Sequence, residues 1–284
     1  MDSSLFHWCL LVLACAVRRK RADMGHARTH NARTHNARTY NVRGHVSDST
    51  TVVLLGTGMP RPDPDASGPA TAVLVDSRVF LFDAGAGVMR RIAAAHLSIH
   101  GVTALFIMHL HSDHTLGLPD LILGLEHERA DGYGVNVHEI QAGVVYDSGG
   151  VRITAFPVLH GSWKEVYGYR IDTPTRSVVM SGDTRASDAL VAAARNVDVL
   201  VHEVYPASRL APEARPGGEG WPQYMHQSHT SDAELGRIAA EAKPKLLVLT
   251  HIIRMGSTDD ELLRGVRAGG FAGRVVVGHD LARY

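Results

Sequence analysis

The chain has 284 residues, of which 45% are hydrophobic and 20% charged, so it is long and apolar enough for one large α/β domain or two small ones. Lys and Arg together number 29, as do Asp and Glu. The formal net charge of zero shows no basic excess of the kind that marks many nucleic-acid-binding proteins. Both cysteines, Cys9 and Cys15, lie near the start, which excludes disulfides and cysteine metal sites from the rest of the sequence.

Residues 1–49 differ from the rest in composition and are predicted to form a disordered leader. Residues 5–17 are mostly apolar but too few to cross a bilayer, and the basic run 18–21 follows them, whereas a signal peptide has its basic residues first. Residues 27–41 repeat a polar unit, ARTHN, and such repeats cannot bury a core. We expect a cytoplasmic protein without stable membrane association, with Met24 as an alternative start; export is the competing hypothesis, because of the apolar run.

Residues 50–284 consist of short apolar segments separated by glycine and polar turns, which is typical of a strand-rich folded domain. Strands are predicted at 51–55, 71–75, 79–82, 105–108, 151–156, 167–171, 177–180, 197–201, 245–249 and 275–277. Helices are predicted at 87–96, 188–194, 232–242 and 259–267. Because each strand-rich half is followed by helices, we predict two sheets packed face to face with helices outside.

Four potential metal ligands lie within six residues, directly after the predicted strand 105–108: His109, His111, Asp113 and His114. Side chains alternate along an extended chain, so the first two histidines point to the same side, and the other two residues reach a second position once the chain turns. Imidazole and carboxylate groups are ligands that Zn²⁺ prefers. Since unpaired polar groups beside a buried strand are costly, the cluster predicts a metal site.

Three further candidate ligands follow other predicted strands at the point where each strand ends. His160 follows the apolar segment 156–159, Asp183 follows 178–182, and His251 follows 246–250. Any one of these residues alone would indicate only an ordinary turn. Their shared position, where rigid backbone can direct a side chain into a cleft, predicts that they join the first cluster.

The segment 109–114 resembles the HxHxDH motif of the metallo-β-lactamase superfamily. The resemblance implies an αββα four-layer sandwich, here with a shortened middle segment, and a centre of two Zn²⁺ or similar divalent ions. It assigns the first ion to His109, His111 and His160, the second to Asp113, His114 and His251, and the bridging position to Asp183. Asp83, after the strand 79–82, matches a family aspartate that orients the ligand loop.

Three other segments indicate which branch of this superfamily the chain resembles. Residues 201–205 resemble the His-Glu segment of ribonuclease Z, and residues 228–231 resemble that enzyme's His-Ser/Thr helix start, whereas residues 155–163 resemble arylsulfatase-type metallohydrolases. The resemblance implies a catalytic role for His202, supported by Glu203 and His229. Two alternatives stay open. His202 could be a buried structural histidine that is paired with Glu203. His229 could have no catalytic role, its neighbour Thr230 or Ser231 serving as the N-terminal cap of the helix that follows.

The segment between His114 and His160 is shorter than in relatives. We expect it to lack the protruding substrate arm of ribonuclease Z and to lack a core strand.

The predicted function is hydrolysis of phosphate or sulfate esters, of the arylsulfatase or phosphodiesterase kind, with a small-molecule or nucleotide ester as substrate. Two divalent ions lower the pKa of a shared water and hold the attacking and leaving oxygens. Asp113 would orient that water, and His202 would assist the leaving group. RNA is a less favoured substrate: a transfer-RNA 3′-end endoribonuclease is the second hypothesis, opposed by the neutral charge and the missing arm. A catalytically impaired binding protein is the third, and a homodimer is left open.

Overall fold

The structure is a computed structural model that describes residues 49–127 and 135–284. The predicted leader and its repeat therefore lie outside the described residues, apart from Ser49. Within the two described ranges, no helix is long and apolar enough to cross a membrane.

The first sheet has four strands in the order β1-β2-β3-β4. Its strands are β1 (Thr51–Gly56), β2 (Ala70–Val75), β3 (Arg78–Phe82) and β4 (Val102–Phe106). The first three are antiparallel, and β4 runs parallel to β3. Their side chains are buried almost throughout, because both faces of the sheet are covered.

The second sheet has seven strands in the order β11-β10-β9-β8-β7-β6-β5. These are β5 (Gly143–Ser148), β6 (Val151–Pro157), β7 (Tyr167–Asp172), β8 (Ser177–Met180), β9 (Val199–Val204), β10 (Leu246–Ile252) and β11 (Arg274–Val277). The strands from β5 to β8 pair antiparallel, and those from β8 to β11 pair parallel. The carboxyl ends of the parallel strands lie together at one end of the sheet, and this end faces the candidate site.

The α-helices of the described residues are α1 (Val88–Ala94), α2 (Ser112–Thr115), α3 (Leu118–His127), α4 (Asp188–Ala194), α5 (Trp221–Ser228), α6 (Asp232–Ala242) and α7 (Asp259–Ala268). Helices α1 and α3 cover the outer face of the four-stranded sheet, and α4, α6 and α7 cover that of the seven-stranded sheet. Capping boxes start α6 at Ser231 and α7 at Thr258, where the side chain and a glutamate three residues later satisfy free backbone N–H groups.

Three apolar cores hold these layers together. The central core joins the two sheets and contains Phe82 and Phe106 from one sheet and Tyr169 from the other, with ring centroids 5.2 to 5.5 Å apart. A second core lies between the seven-stranded sheet and α4, α6 and α7, and a third between the four-stranded sheet and α1 and α3. The predicted αββα sandwich is thereby confirmed.

Most predicted elements agree with the structure, and the differences fall near the site. The short segment after His114 contains α3 and β5, and β5 pairs with β6 along the sheet edge. Because β5 is a partly exposed edge strand, the expected loss of a core strand stays a prediction. The strand predicted at 197–201 extends to Val204 and so includes His202 and Glu203. The strand predicted at 105–108 lies three residues earlier at its start and two at its end, as β4. Helices α3 and α5 and strand β5 were not predicted.

Asp280 ties the end of the described chain to the loop after β1. Its Oδ1 accepts hydrogen bonds from the N–H and hydroxyl of Thr57 at 2.9 and 3.0 Å. Its Oδ2 accepts from the N–H of Ser67 and from the guanidinium of Arg91, both at 2.8 Å. Only 5% of the Asp280 side chain is exposed, so this carboxylate depends on these four donors rather than on water.

Asp280→Ala should lower the free energy of unfolding by about 3 kcal/mol, because hydrogen bonds to a charged group contribute about 1.5–3 kcal/mol each and the substitution removes four of them. Denaturant unfolding of the full chain measures this. The matched control is Asp147→Ala, whose carboxylate is 52% exposed and pairs with Arg152, and which should change stability by less than about 1 kcal/mol. Equal effects of the two substitutions would contradict the proposed tie.

Candidate metal centre

The candidate ligands come from the ends of β4, β6, β8 and β10. Left-handed backbone conformations occur beside or at several of them: φ is 60° at Asp83, 63° at Gly182 and 41° at His251. The register of β10 against β9 shifts between Thr250 and Ile252, so His251 occupies a bulge that turns its ring out of the ladder. Such strain concentrates at functional sites, where the surrounding fold compensates it.

The first set of candidate ligands is brought together as predicted. His109, His111, His160 and Asp183 each offer one ligand atom, and these atoms lie within 4.8 Å of one another. The Nδ1 of His111 is 2.8 Å from the Nε2 of His109 and 3.2 Å from the Nε2 of His160. Three ring nitrogens thus converge on one point, which is an arrangement that suits a shared cation.

The second set is brought together beside the first. The Nε2 of His251 and the Nε2 of His114 lie 3.2 and 3.5 Å from the Oδ2 of Asp113. Both ring nitrogens are also 3.4 Å from the Oδ2 of Asp183, which is in turn 4.0 Å from the Nε2 of His109. Asp183 therefore lies between the two sets, in the position that a bridging ligand requires.

The residues present fit divalent metal ions. Among the described residues, the Nε2 of His114 and the Oδ1 of Asp183 are buried without a hydrogen-bond partner. Unpaired buried polar atoms are costly, and a cation between the ligand sets would satisfy both of them. Nitrogen and carboxylate oxygen donors suit Zn²⁺ and similar ions.

Burial controls the charge of the first ligand set. It lowers the pKa of His109 well below the ordinary value, and it lowers the pKa of His111 and His160, with neighbouring histidines adding to the effect. Neutral imidazole is the form that binds metals, because its second nitrogen keeps a free lone pair.

The carboxylates of the site are held in their charged form. Burial alone would raise the pKa of Asp183, but the neighbouring His251 and His114 outweigh it and hold this pKa well below its usual range. The pKa of Asp113 is lowered in the same way, chiefly by its hydrogen bond with His251. The carboxylates in turn raise the pKa of His251 to about 9 against the opposing effect of burial, so a cation entering the site would replace a proton there.

Asp83 lies where the sequence placed it, behind the ligand loop. Its Oδ1 accepts a hydrogen bond from the N–H of Met108 at 2.8 Å, and its Oδ2 lies 2.6 Å from the Nδ1 of His114. Asp83 thereby fixes the imidazole ring of His114 with its Nε2 toward the ligand sets. His160 is fixed in the same way, because its Nδ1 donates to the backbone carbonyl of Ser228 at 2.7 Å.

Trp163 belongs to the site and was not assigned to it from the sequence. Its indole N–H donates to the Nε2 of His111 at 3.0 Å, and the two rings are 4.8 Å apart. The only signal was its position three residues after His160, in the segment that resembles arylsulfatase-type enzymes.

Glu203 and His229 form a buried pair beside the ligand sets. The Oε2 of Glu203 lies 2.7 Å from the Nδ1 of His229, and its Oε1 accepts from the N–H of Thr184 at 2.5 Å. One ring nitrogen of His229 lies within 4.8 Å of ligand atoms of Asp183 and His251. Since Glu203 occupies Nδ1, the Nε2 of His229 is the nitrogen free to face the cleft.

The structure does not bring His202 to the cleft. It is fully buried on β9, and its Nδ1 lies 2.7 Å from the backbone carbonyl of Glu203. Neighbouring residues of a strand point to opposite faces, so the side chain of Glu203 reaches the centre while that of His202 points away. Glu203 thus satisfies one ring nitrogen of His202, as the structural alternative predicted from the sequence. The group that does so is the backbone carbonyl of Glu203 rather than its carboxylate.

An open cavity of about 340 Å³ gives access to the centre. It is lined by Met59, Pro60, Arg61, His111, Asp113, Asp183, Arg215, Trp221, Tyr224, His229, His251 and Ile253. A second cavity, of about 280 Å³, adjoins it and shares Met59, Arg61, Trp221 and Ile253 with it. The two cavities together form a cleft that extends from the candidate ligands past Trp221 and Arg61.

Comparisons with known proteins agree with this geometry. The family model of the β-lactamase superfamily domain matches residues 78–252. Ribonuclease Z of Mycobacterium bovis (strain BCG / Pasteur 1173P2) is 32% identical over 276 residues, covering 82% of this chain and 96% of that enzyme.

Solved structures share the fold. The metallo-β-lactamase fold protein YhfI from Bacillus subtilis matches with a TM-score of 0.70 and 20% identity, covering 84% of this chain and 99% of that one. The short form of human tRNase Z matches with a TM-score of 0.62 and 18% identity, covering 82% and 98%. The chain therefore belongs to the β-lactamase superfamily and has the metallo-β-lactamase fold. It is a ribonuclease Z-like member, a metal-dependent hydrolase that acts on ester bonds.

His111→Ala should remove bound metal and hydrolysis together, because the ring nitrogen lies between those of two other ligands and nothing nearby replaces it. Metal analysis of the purified, zinc-loaded chain should give close to two ions before the substitution and fewer after it. His127→Ala, at an exposed histidine outside the site, is the control and should keep the full metal content. One ion or none in the folded, loaded chain would contradict two separate ligand sets.

Proposed function

We propose that this chain cleaves phosphodiester bonds of RNA at the 3′ end of precursor transfer RNA. The observation that carries the proposal is the buried Glu203–His229 pair beside the ligand sets, because an RNA phosphodiester has a poor leaving group that needs a proton. The 32% identity to a ribonuclease Z along almost all of that enzyme's length supports it. This reverses the order of the sequence-based hypotheses, which placed a small aryl or nucleotide ester first and RNA second.

Two Zn²⁺ ions are the proposed cofactors. His109, His111 and His160 would hold one ion, Asp113, His114 and His251 the other, and Asp183 both. When bound, the ions supply an activated water and neutralise the charge that gathers on the phosphate oxygens. Asp113 is 7% exposed, and its lowered pKa keeps the carboxylate charged, so it can accept a hydrogen bond from the attacking water and orient it.

His229 is the proposed proton donor to the leaving oxygen. Burial raises the pKa of Glu203 well above its usual range and lowers the pKa of His229 to about 4. Glu203 holds Nδ1, so Nε2 is the nitrogen that would give its proton to the leaving oxygen. As Nε2 gives up its proton, Nδ1 would take the proton shared with Glu203, which keeps the ring neutral and leaves Glu203 as a carboxylate. The role predicted for His202 passes to His229, because only His229 lines the cleft.

Cationic side chains at the cleft suit a polyanionic substrate although the whole chain is neutral. Arg61 and Arg215 both line the cavity above the ligands, and their side chains are 66% and 55% exposed. Phosphate contacts depend on local groups such as these rather than on net charge. The neutral composition is therefore only a weak objection to an RNA substrate.

Cleavage of a precursor transfer RNA tests the proposal directly. The zinc-loaded full chain should cut between the transfer RNA and its 3′ trailer, and His111→Ala should not. Nitrophenyl sulfate and bis(nitrophenyl) phosphate serve as competing substrates in the same preparation. If the chain hydrolyses an aryl ester but leaves the precursor transfer RNA uncut, the RNA assignment is overturned and the arylsulfatase-like hypothesis is favoured.

His229→Ala should keep its metal content yet lower kcat on RNA by about 10²–10⁴-fold, the usual contribution of general acid catalysis. The loss should shrink on nitrophenyl esters, because nitrophenolate leaves without needing a proton. His202→Gln, at the neighbouring strand position that faces away, should keep kcat within a few fold on both substrates. A His202→Gln defect that exceeds that of His229→Ala would return the catalytic role to His202.

A further inference from the structure

Two aromatic rings form a stacked pair at the mouth of the cleft. Trp221 and Tyr224 lie on α5, with ring centroids 5.5 Å apart and planes inclined by 23°. Both line the cavity above the ligands, and Tyr224 is 40% exposed. The metal centre uses neither ring as a ligand, so the exposed aromatic surface has no role in the reaction described above.

Trp221, which backs the ring of Tyr224, is held in place by its own neighbours. Trp221 packs against the small core of Tyr205, Met225 and Ile253, and the guanidinium of Arg215 lies 5.8 Å from the centre of its indole ring. Pro222 lies in the first turn of α5, where its fixed backbone angle suits the helix. A ring that is already fixed in place loses little conformational entropy when a ligand stacks on it.

The position of Tyr224 relates it to a phosphate at the metal ligands. Its ring centroid is 5.6 Å from that of His229, the proposed proton donor, and it shares the cavity with Asp113 and Asp183. In a nucleotide, one ribose separates the base from its 5′-phosphate. Aromatic side chains bind bases by their flat faces with little regard to sequence, which suits an enzyme that accepts many trailers.

We propose that Tyr224, backed by Trp221, stacks on the nucleobase whose 5′-phosphate lies at the metal ligands. This subsite rests on the proposed function, because it requires a nucleotide on one side of the scissile bond. Arg61 and Arg215 extend it: both pair with Glu213, which fixes the two guanidinium groups beside the stacked rings and leaves further N–H donors for the next phosphate of the strand.

Isothermal titration calorimetry with the zinc-loaded full chain tests the subsite. Adenosine 5′-monophosphate carries base, ribose and phosphate, and ribose 5-phosphate is its match without the base. The nucleotide should bind about fivefold more tightly or better, the effect of one base–aromatic stack. Tyr224→Ala should abolish this difference while leaving the Kd of ribose 5-phosphate unchanged.

Two further variants separate stacking from other effects. Tyr224→Phe keeps the aromatic face and should keep the preference for the nucleotide. Gln223→Ala, at the exposed neighbouring position of the same helix, should behave as the unaltered chain. Equal affinity of the unaltered chain for the two ligands, absence of nucleotide binding, or retention of the preference in Tyr224→Ala would overturn the subsite.

The outcome is independent of the RNA cleavage assay. A chain that prefers the nucleotide through Tyr224 but leaves precursor transfer RNA intact keeps the subsite and loses the proposed function. A chain that cuts the precursor yet binds both ligands equally keeps the function and loses the subsite.

Discussion

The site depends on one buried carboxylate that three imidazole rings approach from two segments, the stretch after β4 and the end of β10. Asp183 lies 3.4 Å from His114 and His251 and 4.0 Å from His109, with only 3% of its surface exposed. A charge in such a position is tolerable only with compensating positive charge close by. The fold brings these positive charges to one point through the two sheets, the ends of their parallel strands and the bulge at His251.

A layer of hydrogen bonds behind the ligands makes the convergence specific. Asp83 holds His114, and the carbonyl of Ser228 holds His160. Ser228 ends α5, and His229 follows it directly, so the same short turn both orients a ligand and carries the proposed proton donor. The helix with the exposed aromatic rings is therefore part of the metal centre's support, and a substrate stacked on it is aligned with the ligands.

The sequence predicted that the candidate ligands lie together because their signal is local: polar side chains that follow a buried strand are costly unless a partner such as a cation binds them. It could not rank His202 against Glu203, because the strand was predicted to stop at Val201 and the alternation of faces was not applied beyond it. Helix α5 was missed because its apolar and polar residues show weak periodicity and it begins with Trp-Pro. The edge strand β5 was missed because its partly exposed residues carry little hydrophobic pattern, so only pairing with β6 defines it.

The tie made by Asp280 has a consequence for the order of assembly during synthesis. β1 is the first strand of the described fold, yet its Val52 exchanges backbone hydrogen bonds with Tyr284, and the loop that follows it depends on Asp280. That loop provides Met59 to the cleft. Every helix and strand of the described residues emerges from the ribosome before Asp280 does, so the cleft that they form is completed late. A nascent chain that is interrupted before Asp280 would carry all seven ligands and still lack a finished substrate entrance.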